Sequence, residues 1–279
     1  MNEPFEVMGV VNVTPDSFSD GGRYLDAAAA IAHGLELARQ GAAILDIGGE
    51  STRPGALPVA AEEELRRVLP VISGLSSAGV DARLSIDTSK ADVAAAALDA
   101  GATLVNDVTA LRGDPALARL VAERGADCCL MHMLGSPRTM QRDPHYDDVV
   151  DDVERFLEER MAFAIAEGIG EERILLDPGI GFGKTVEHNL ELLRRLEQIV
   201  ALGRPVVIGT SRKSFLGKLT GREVDDRLAG TIATNVLAYE RGARVFRVHD
   251  VGPVRDALAV AAATVSPQWN QTTPKSSTT

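Results

Sequence analysis

The most constraining feature of this sequence is a unit of one apolar run and one amphipathic stretch that recurs eight times along the chain. The apolar runs are near-continuous, as in parallel strands buried on both faces; they read VMGVVNV, AAILDIG, RLSID, ATLVND, DCCLMHM, RILLDPG, PVVIGTS and RVFRVHD. The intervening stretches have helical spacing, and in one of them Leu65, Val68 and Leu75 share a face. Glycine, which adopts a left-handed conformation at little cost, follows seven of the stretches: Gly41, Gly79, Gly101, Gly125, Gly168, Gly203 and Gly242.

Strands that alternate with helices eight times predict an α/β fold, a single closed (β/α)8 TIM barrel. An open, doubly wound sheet is the rival arrangement. Since the first apolar run starts near the N-terminus and no change of composition marks a second domain, we expect residues 1–266 to form one barrel domain. Residues 267–279 have no hydrophobic period and are predicted to be a flexible C-terminal tail.

Composition and charge exclude several classes of function. The 279 residues carry a formal net charge of −11, which argues against nucleic-acid and membrane surfaces, because both are bound by basic patches. No apolar run reaches the roughly 18 residues of a membrane span, and the N-terminus lacks the pattern of a signal peptide. Cys128 and Cys129 would point to opposite faces of a strand, so neither a mutual disulfide nor a zinc pair is expected. These features predict a cytoplasmic protein.

Polar side chains stand at the C-terminal end of every predicted strand, where a barrel keeps its active site. An unpartnered charge or amide in a core costs several kcal/mol, so the convergence of the whole set predicts a functional site. Its members are Asn12, Asp46, Asp87, Asn106, Asp107, His132, Asp177, Ser211, Arg212, Lys213, Arg247 and His249.

Each of these residues also has a structural interpretation when it is considered singly. Asp87 would cap the helix that follows it, and Asn106 would satisfy backbone groups in a turn. His249 would be a core histidine with a local partner, and Asp46 would brace the loop behind it rather than touch a substrate. Lys184, farther along the chain, is interpreted as a solvated loop lysine.

The acceptors at the strand ends suit a flat heterocycle. Two carboxylates and an amide, on Asp87, Asp177 and Asn106, can accept hydrogen bonds from several ring N–H donors. Lys213 can donate to a ring carbonyl or a ring nitrogen.

A second group of residues suits an anion. Arg247 and His249 can meet phosphate oxygens, and the amide of Asn12 can help to hold Mg²⁺. No nucleophile with an adjacent base is evident, since Ser211 and Cys129 have no histidine partner in sequence. The two groups together predict recognition of a heterocycle at one end of the site and a pyrophosphate at the other.

The stretch LLDPGIGFGKT superficially matches a phosphate-binding P-loop. That signature requires a glycine five positions before the glycine that precedes the lysine, and Pro178 occupies the required position. No nucleotide is therefore predicted from it.

Eight segments of the chain together resemble the dihydropteroate synthase family of folate biosynthesis: MGVVNVTPDSFSDGG, DIGGESTRPGA, SIDTSKADVAAAAL, VNDVTA, LMHMLGSPRTMQ, LDPGIGFGKT, SRKSFLG and RVHDV. The resemblance runs from about residue 7 to residue 263 and leaves out the extreme N-terminus and the tail. It implies a pterin-binding barrel that condenses 6-hydroxymethyl-7,8-dihydropterin diphosphate with p-aminobenzoate to 7,8-dihydropteroate and diphosphate.

The resemblance also implies a role for individual residues. Contacts to the pterin fall to Asp87, Asn106, Asp177 and Lys213; contacts to the diphosphate and Mg²⁺ fall to Asn12, Thr52, Arg247 and His249. The p-aminobenzoate pocket is expected to comprise Phe18, Asp20, Arg53, Pro54, Phe182, Lys213 and Ser214. The catalytic residues are expected to be Asp20, Asp87, Lys213 and Arg247, with Asn12 as the metal ligand. The loop TPDSFSDGGR would close over the site, so that Asp20→Ala is expected to weaken turnover and p-aminobenzoate use more than pterin binding.

Three points remain open from the sequence. A catalytically inactive pterin-binding module and a corrinoid methyltransferase-type pterin enzyme are the alternative functions. Sulfonamides, which imitate p-aminobenzoate, are expected inhibitors, but whether the enzyme is a sensitive housekeeping form or an insensitive substitute is not determined. The resemblance implies a homodimer formed through the last helices, around GTIATNVLAYERGA.

Overall fold

A computed structural model of the chain describes residues 4–14, 23–53 and 55–265. In chain order the elements within these ranges are β1 (Glu6–Asn12), α1 (Arg23–Arg39), β2 (Ile44–Gly48), α2 (Ala61–Ser77), β3 (Arg83–Asp87), α3 (Ala91–Asp99), β4 (Leu104–Asp107), α4 (Leu117–Arg124), β5 (Asp127–Met131), α5 (Val149–Ala166), β6 (Ile174–Asp177), α6 (Val186–Arg194), α7 (Leu196–Val200), β7 (Val207–Ile208), α8 (Ser214–Thr220), α9 (Leu228–Glu240), β8 (Val245–Val248) and α10 (Val251–Val265). Short 3-10 turns precede β6 and α9.

The strands form one parallel sheet in the order β6-β5-β4-β3-β2-β1-β8-β7. A parallel bridge between Leu176 and Val206 joins the two ends of this order, β6 and β7, and so completes the ring. The predicted TIM barrel is confirmed, and the open sheet is excluded.

The predicted strands are all present, and the differences lie in the last third of the barrel. Strand β7 keeps only two residues of the run PVVIGTS, Val207 and Ile208. The described part of the chain also contains two short helices beyond the predicted eight, α7 and α8. Helix α8 begins at Ser214, directly after the segment that carries Lys213, so the extra helix lies at the mouth of the barrel.

The hydrophobic core has two layers, because successive strand residues point to opposite faces. The outer layer packs the strands against the helices, and Cys128 belongs to it. The inner layer fills the barrel and consists of Met8, Ile44, Leu104, Cys129, Leu175, Val207 and Val245. The two cysteines are buried and free on opposite faces of β5, as predicted.

A polar layer follows the inner apolar layer with the period of a strand. Two residues beyond Ile44, Leu104, Leu175 and Val245 stand, respectively, Asp46, Asn106, Asp177 and Arg247. Strand register brings the ends of neighbouring strands level, since Gly48 pairs with Asp87 and Asp87 pairs with Asn106. The fold therefore stacks the polar strand ends directly above an apolar floor.

The last element of the described chain is helix α10. Helix α10 ends at Val265, next to the predicted domain boundary, and the predicted tail at residues 267–279 lies outside the described residues. None of the helices in the described ranges has the length and apolar character needed to cross a membrane.

Candidate active site

Asp46 lies at the base of the polar layer with no exposed surface. One of its oxygens accepts a hydrogen bond from Ser85 Oγ at 2.6 Å, and the other accepts from Asn106 Nδ2 at 3.0 Å and from Arg247 Nε at 2.7 Å. The interpretation of Asp46 as a brace for the loop behind it is therefore corrected, because it holds the side chains of three other strands. A buried carboxylate is tolerated here because each bond offsets part of its desolvation.

Arg247 joins Asp46 to a second carboxylate, since its Nη2 lies 2.9 Å from Asp87 Oδ2. Burial and the nearby charge of Asp46 raise the pKa of Asp87 to about 7, although Arg247 opposes the shift. Burial alone would lower the pKa of Arg247, but Asp46 and Asp87 outweigh it and hold that pKa above its ordinary value. Asp87 does not cap the helix that follows, because Ala91 N donates to Asp114 instead.

Asp177 and Lys213 stand on the other side of the mouth. Asp177 Oδ1 accepts a hydrogen bond from Gly179 N at 2.6 Å. Burial raises the pKa of Asp177, and the Gly179 N–H and Lys213 counteract that rise. Burial lowers the pKa of Lys213 to about 8 while Asp177 opposes this shift, and Lys213 Nζ lies 4.0 Å from the centroid of the Phe182 ring. Both groups line the cavity, where Asp177 is buried and Lys213 is half-buried.

His249 lies beside Ser211, with Nδ1 2.9 Å from Ser211 Oγ, and its backbone N–H donates to the same oxygen at 3.2 Å. The expectation that Ser211 has no histidine partner is therefore corrected, because the partner lies 38 positions away along the chain. Burial, Arg247 and Arg212 lower the pKa of His249 to about 3. The ring is therefore neutral at pH 7 and can offer an anion an N–H donor but no charge. Arg212 donates two hydrogen bonds to the carboxylate of Asp250, from Nη2 to Oδ1 at 2.7 Å and from Nε to Oδ2 at 3.1 Å.

Asn12 ends β1 and is half-buried. Asn12 is not among the residues that line the cavity, although it stands at the same end of the barrel. Within these ranges no three side chains of His, Cys, Asp or Glu are grouped so that they could hold a metal ion. Mg²⁺ often uses one protein oxygen together with waters and substrate phosphates, and Asn12 fits that use.

The cavity at this end of the barrel gathers most of the residues predicted for the site. Its lining is Thr52, Asp87, Asn106, Val108, Met131, Asp177, Ile180, Phe182, Gly209, Ser211, Lys213, Arg247 and His249. Arg53 and Ser214 are exposed and do not line it. Phe18, Asp20 and Pro54 lie outside the described residues.

Three apolar lining residues were not predicted to have a site role: Val108, Ile180 and Met131, the last considered only as the strand-end neighbour of His132. Met131 was detectable, since it lies two residues beyond Cys129 and therefore faces the barrel interior. Val108 and Ile180 lie in loops after β4 and β6, where no period reveals the direction of a side chain. Apolar surfaces combined with carboxylate and amide acceptors suit a flat ring that carries N–H donors.

The prediction that Lys184 is a solvated loop lysine is wrong, because only 3% of its surface is exposed. Its Nζ lies 2.9 Å from Nδ1 of His132, at the end of β5. The lysine is therefore buried behind the cavity, whose lining does not include it.

Comparison with known proteins agrees with this geometry. Residues 8–249 match the family described as pterin binding enzyme. The dihydropteroate synthase of Escherichia coli (strain K12) is 44% identical over 265 residues, which cover 95% of this chain and 93% of that protein. A solved structure of Xanthomonas albilineans dihydropteroate synthase with 4-aminobenzoic acid is 52% identical, covers 95% of both chains and has a TM-score of 0.89. The Yersinia pestis dihydropteroate synthase, solved with a sulfonamide drug, is 43% identical, with 94% of both chains covered and a TM-score of 0.88. The chain belongs to the pterin-binding enzyme family and, within it, to the dihydropteroate synthases.

Proposed function

We propose that this protein is a transferase that condenses 6-hydroxymethyl-7,8-dihydropterin diphosphate with p-aminobenzoate, forming 7,8-dihydropteroate and diphosphate. The observation that carries the proposal is the polar layer of the barrel. In this layer Arg247 is paired with the buried carboxylates of Asp46 and Asp87, and a third buried carboxylate, that of Asp177, belongs to the same layer. Together with the family, this layer favours the synthase over an inactive binding module or a corrinoid methyltransferase-type enzyme.

The pterin would lie flat above the polar layer. Asp87 and Asp177 would accept hydrogen bonds from its ring N–H and amino groups, Asn106 would complete this edge, and Lys213 would donate to a ring carbonyl or nitrogen. Asn106 already donates to Asp46, so its amide oxygen would be the group offered to the ligand as an acceptor. The apolar residues of the lining would cover the ring faces and exclude water.

The chemistry needs no general base. An aryl amine is neutral at pH 7 and attacks without prior deprotonation, so the barrier is the departure of diphosphate from the pterin methylene. The electron-rich ring delocalises the positive charge that develops, and the carboxylates of Asp87 and Asp177 would stabilise it electrostatically. After the new C–N bond forms, the amine nitrogen loses its extra proton to solvent or to diphosphate.

The leaving group would be held on the side of β1 and β8. Two nitrogens of Arg247 are committed to Asp46 and Asp87, which leaves Nη1 for a diphosphate oxygen. Neutral His249 and Thr52 would add uncharged donors. Bound Mg²⁺, with Asn12 as its protein ligand, would neutralise part of the diphosphate charge.

The p-aminobenzoate would occupy the outer side of the cavity. Phe182 and Lys213 form its inner boundary, and Arg53 and Ser214 stand at the exposed rim. We also assign Phe18, Asp20 and Pro54, which lie outside the described residues, to the p-aminobenzoate pocket. Asp20 would help to exclude water from the cation. We place the enzyme in the cytoplasm as a homodimer, with sulfonamides as competitors of the amine.

The decisive experiment measures diphosphate release from the pterin diphosphate with Mg²⁺, in the presence and absence of p-aminobenzoate. Release that requires the amine supports the synthase. Absence of release, with pterin binding retained, would overturn the proposal in favour of the inactive module. Added sulfonamide separates a sensitive enzyme, in which release is blocked, from an insensitive one, in which it persists.

A matched pair of variants on one strand controls this assay. Arg247→Met removes the cation that pairs with both carboxylates and should abolish detectable release. Arg244→Met alters an exposed arginine at the opposite end of β8 and should leave release unchanged. Equal activity of the two variants would contradict the role given to Arg247.

A further inference from the structure

The loop between β6 and α6, residues 178–185, is held by hydrogen bonds to its peptide groups. Gln141 Nε2 donates to the carbonyl of Gly181 at 2.7 Å, while the Gly181 N–H donates to Asn189 Oδ1 at 2.6 Å. Tyr146 Oη–H donates to the carbonyl of Gly183 at 2.7 Å. The peptide groups on both sides of Phe182 are thus fixed by side chains from β5–α5 and α6.

The carbonyl of Phe182 itself is bound by Lys184, whose Nζ lies at 3.0 Å. The other partner of this Nζ is the ring of His132 at 2.9 Å. No carboxylate of the described residues lies within ion-pair distance of Lys184. By contrast, Lys90, which is less buried, forms ion pairs with both Glu50 and Glu64. A buried ammonium whose two partners are neutral is costly, and the function proposed above does not use it.

His132 acts as an acceptor for Lys184. Its ring packs edge-on against Phe156, with centroids 4.8 Å apart, and it also contacts Tyr146. Burial, Lys184 and Arg112 lower the pKa of His132 to about 2, so the ring stays neutral at pH 7. When Lys184 is an ammonium it only donates, and in that form Nδ1 of His132 is the unprotonated nitrogen and Nε2 carries the hydrogen.

Lys184 is connected to the proposed p-aminobenzoate pocket through Phe182, whose carbonyl it binds. We propose that Lys184 is a positioning residue for p-aminobenzoate: it ties the Phe182 carbonyl to His132 at the end of β5 and so holds the Phe182 ring against Lys213. This inference rests on the proposed function. The ring and Lys213 Nζ are 4.0 Å apart, and both line the cavity, whereas Lys184 does not line it and acts through the backbone.

The surroundings of Lys184 disfavour its charged form, but the amine keeps N–H donors for its neutral acceptors in either protonation state. Burial lowers the pKa of Lys184 to about 7, with Asp177 opposing and Lys213 assisting the shift. Tyr146 and His188 are the other titratable groups near it.

The test is Lys184→Met, which keeps the length of the side chain and removes its donors. We expect the KM for p-aminobenzoate to rise about tenfold, the loss typical of a hydrogen bond from a charged group. The KM for the pterin diphosphate and kcat should change less than about twofold, since neither depends on Phe182 in this scheme. Lys218→Met, at an exposed lysine of α8, is the control and should leave every constant unchanged.

A double-mutant cycle distinguishes positioning from a general loss of structure. Phe182→Leu removes the ring through which Lys184 is proposed to act, so adding Lys184→Met to it should raise the amine KM no further. Lys184→Gln retains a donor for the Phe182 carbonyl, so its amine KM should stay well below that of Lys184→Met. It also tests the inference if the methionine variant does not fold, since a tenfold rise despite the retained donor would contradict the inference. An unchanged amine KM in Lys184→Met, or fully additive effects, would overturn the inference. A wild-type enzyme without amine-dependent diphosphate release would instead refute the proposed function itself.

Discussion

Asp46 is the residue on which the polar layer of the barrel depends most directly, although it does not line the cavity. Its two oxygens receive three side-chain donors, from Ser85, Asn106 and Arg247. Two of these donors belong to residues proposed to contact substrate. A change at Asp46 is therefore expected to act on binding and stability together.

Asp46→Asn keeps the shape of the side chain but leaves Arg247 with one carboxylate and places an amide against donors. We expect a loss of unfolding free energy of about 3 kcal/mol, as for a buried ion pair that loses one partner. The kcat/KM for the pterin substrate should fall at least about tenfold. Chemical denaturation and steady-state kinetics measure the two effects.

Asp99→Asn is the control, because the Asp99–Arg124 pair is exposed. Its removal should cost less than about 1 kcal/mol. Equal effects at Asp46 and Asp99 would show that the buried network contributes no more than a surface pair.

Asp87 makes stability and function depend on pH in opposite directions. Its pKa in the folded protein, about 7, lies above the ordinary value of 3.8, so folding favours the protonated carboxyl. That contribution to stability is complete below about pH 3.8 and is lost as pH rises through 7. The ionised form, in contrast, is the better acceptor for pterin N–H groups.

Asp87→Asn imitates the uncharged carboxyl, so its melting temperature should exceed that of the wild type more at pH 8 than at pH 5. The variant should also lose most of its affinity for the pterin substrate. Calorimetric melting at the two pH values measures the first effect. The same difference in melting temperature at both values would contradict the raised pKa.

The element that shapes the second half of the site is the β6–α6 loop. Gly179 has φ of 66°, in the left-handed region, and a Cβ at this position would lie 1.9 Å from the carbonyl oxygen of His132. The glycine thus allows the loop to approach the end of β5 closely enough for the contact between Lys184 and His132.

Gly179→Ala should therefore displace the loop. We expect a loss of several kcal/mol of stability, above the roughly 1–2 kcal/mol of left-handed strain alone, and a strong loss of amine-dependent turnover. Gly203→Ala isolates the strain, since Gly203 has φ of 81° and no atom within 4 Å of its added Cβ. Similar destabilisation of the two variants in thermal melts would contradict this prediction, because it would show that the loop moves away from His132 without a further loss of stability.

At the scale of the whole molecule, the helices of the last third leave apolar side chains exposed. Leu237 on α9 is 46% exposed and Val260 on α10 is 67% exposed, and the two helices pack against each other. Exposed apolar patches often mark protein interfaces. We expect a homodimer through this face, as the resemblance to the family implies.

Leu237→Glu places a charge on the expected interface and should shift the protein toward the monomer in sedimentation velocity. Val224, an exposed residue outside α9 and α10, is the matched control site, and Val224→Glu should not change the sedimentation coefficient. A wild-type monomer at micromolar concentration would contradict the dimer without affecting the enzymatic proposal.

The sequence predicted the site to the extent that strand periodicity governs it. Asp46, Asn106, Asp177 and Arg247 each lie two residues after an apolar interior residue, so their common direction follows from the pleat. Periodicity does not extend into loops, which is why Val108 and Ile180 were missed and why Lys184 was wrongly placed in solvent.

By itself the sequence determined the number and order of the strands, the barrel, the polar layer and the family, because these depend on local patterns of burial and on motifs. Only the tertiary structure decided which polar groups pair with one another. Arg247 and Asp46 are 201 positions apart, and Lys184 and His132 are 52 positions apart. The pKa shifts of Arg247, Lys184 and His132 follow from burial and from such distant neighbours, which closure of the barrel brings within hydrogen-bonding distance.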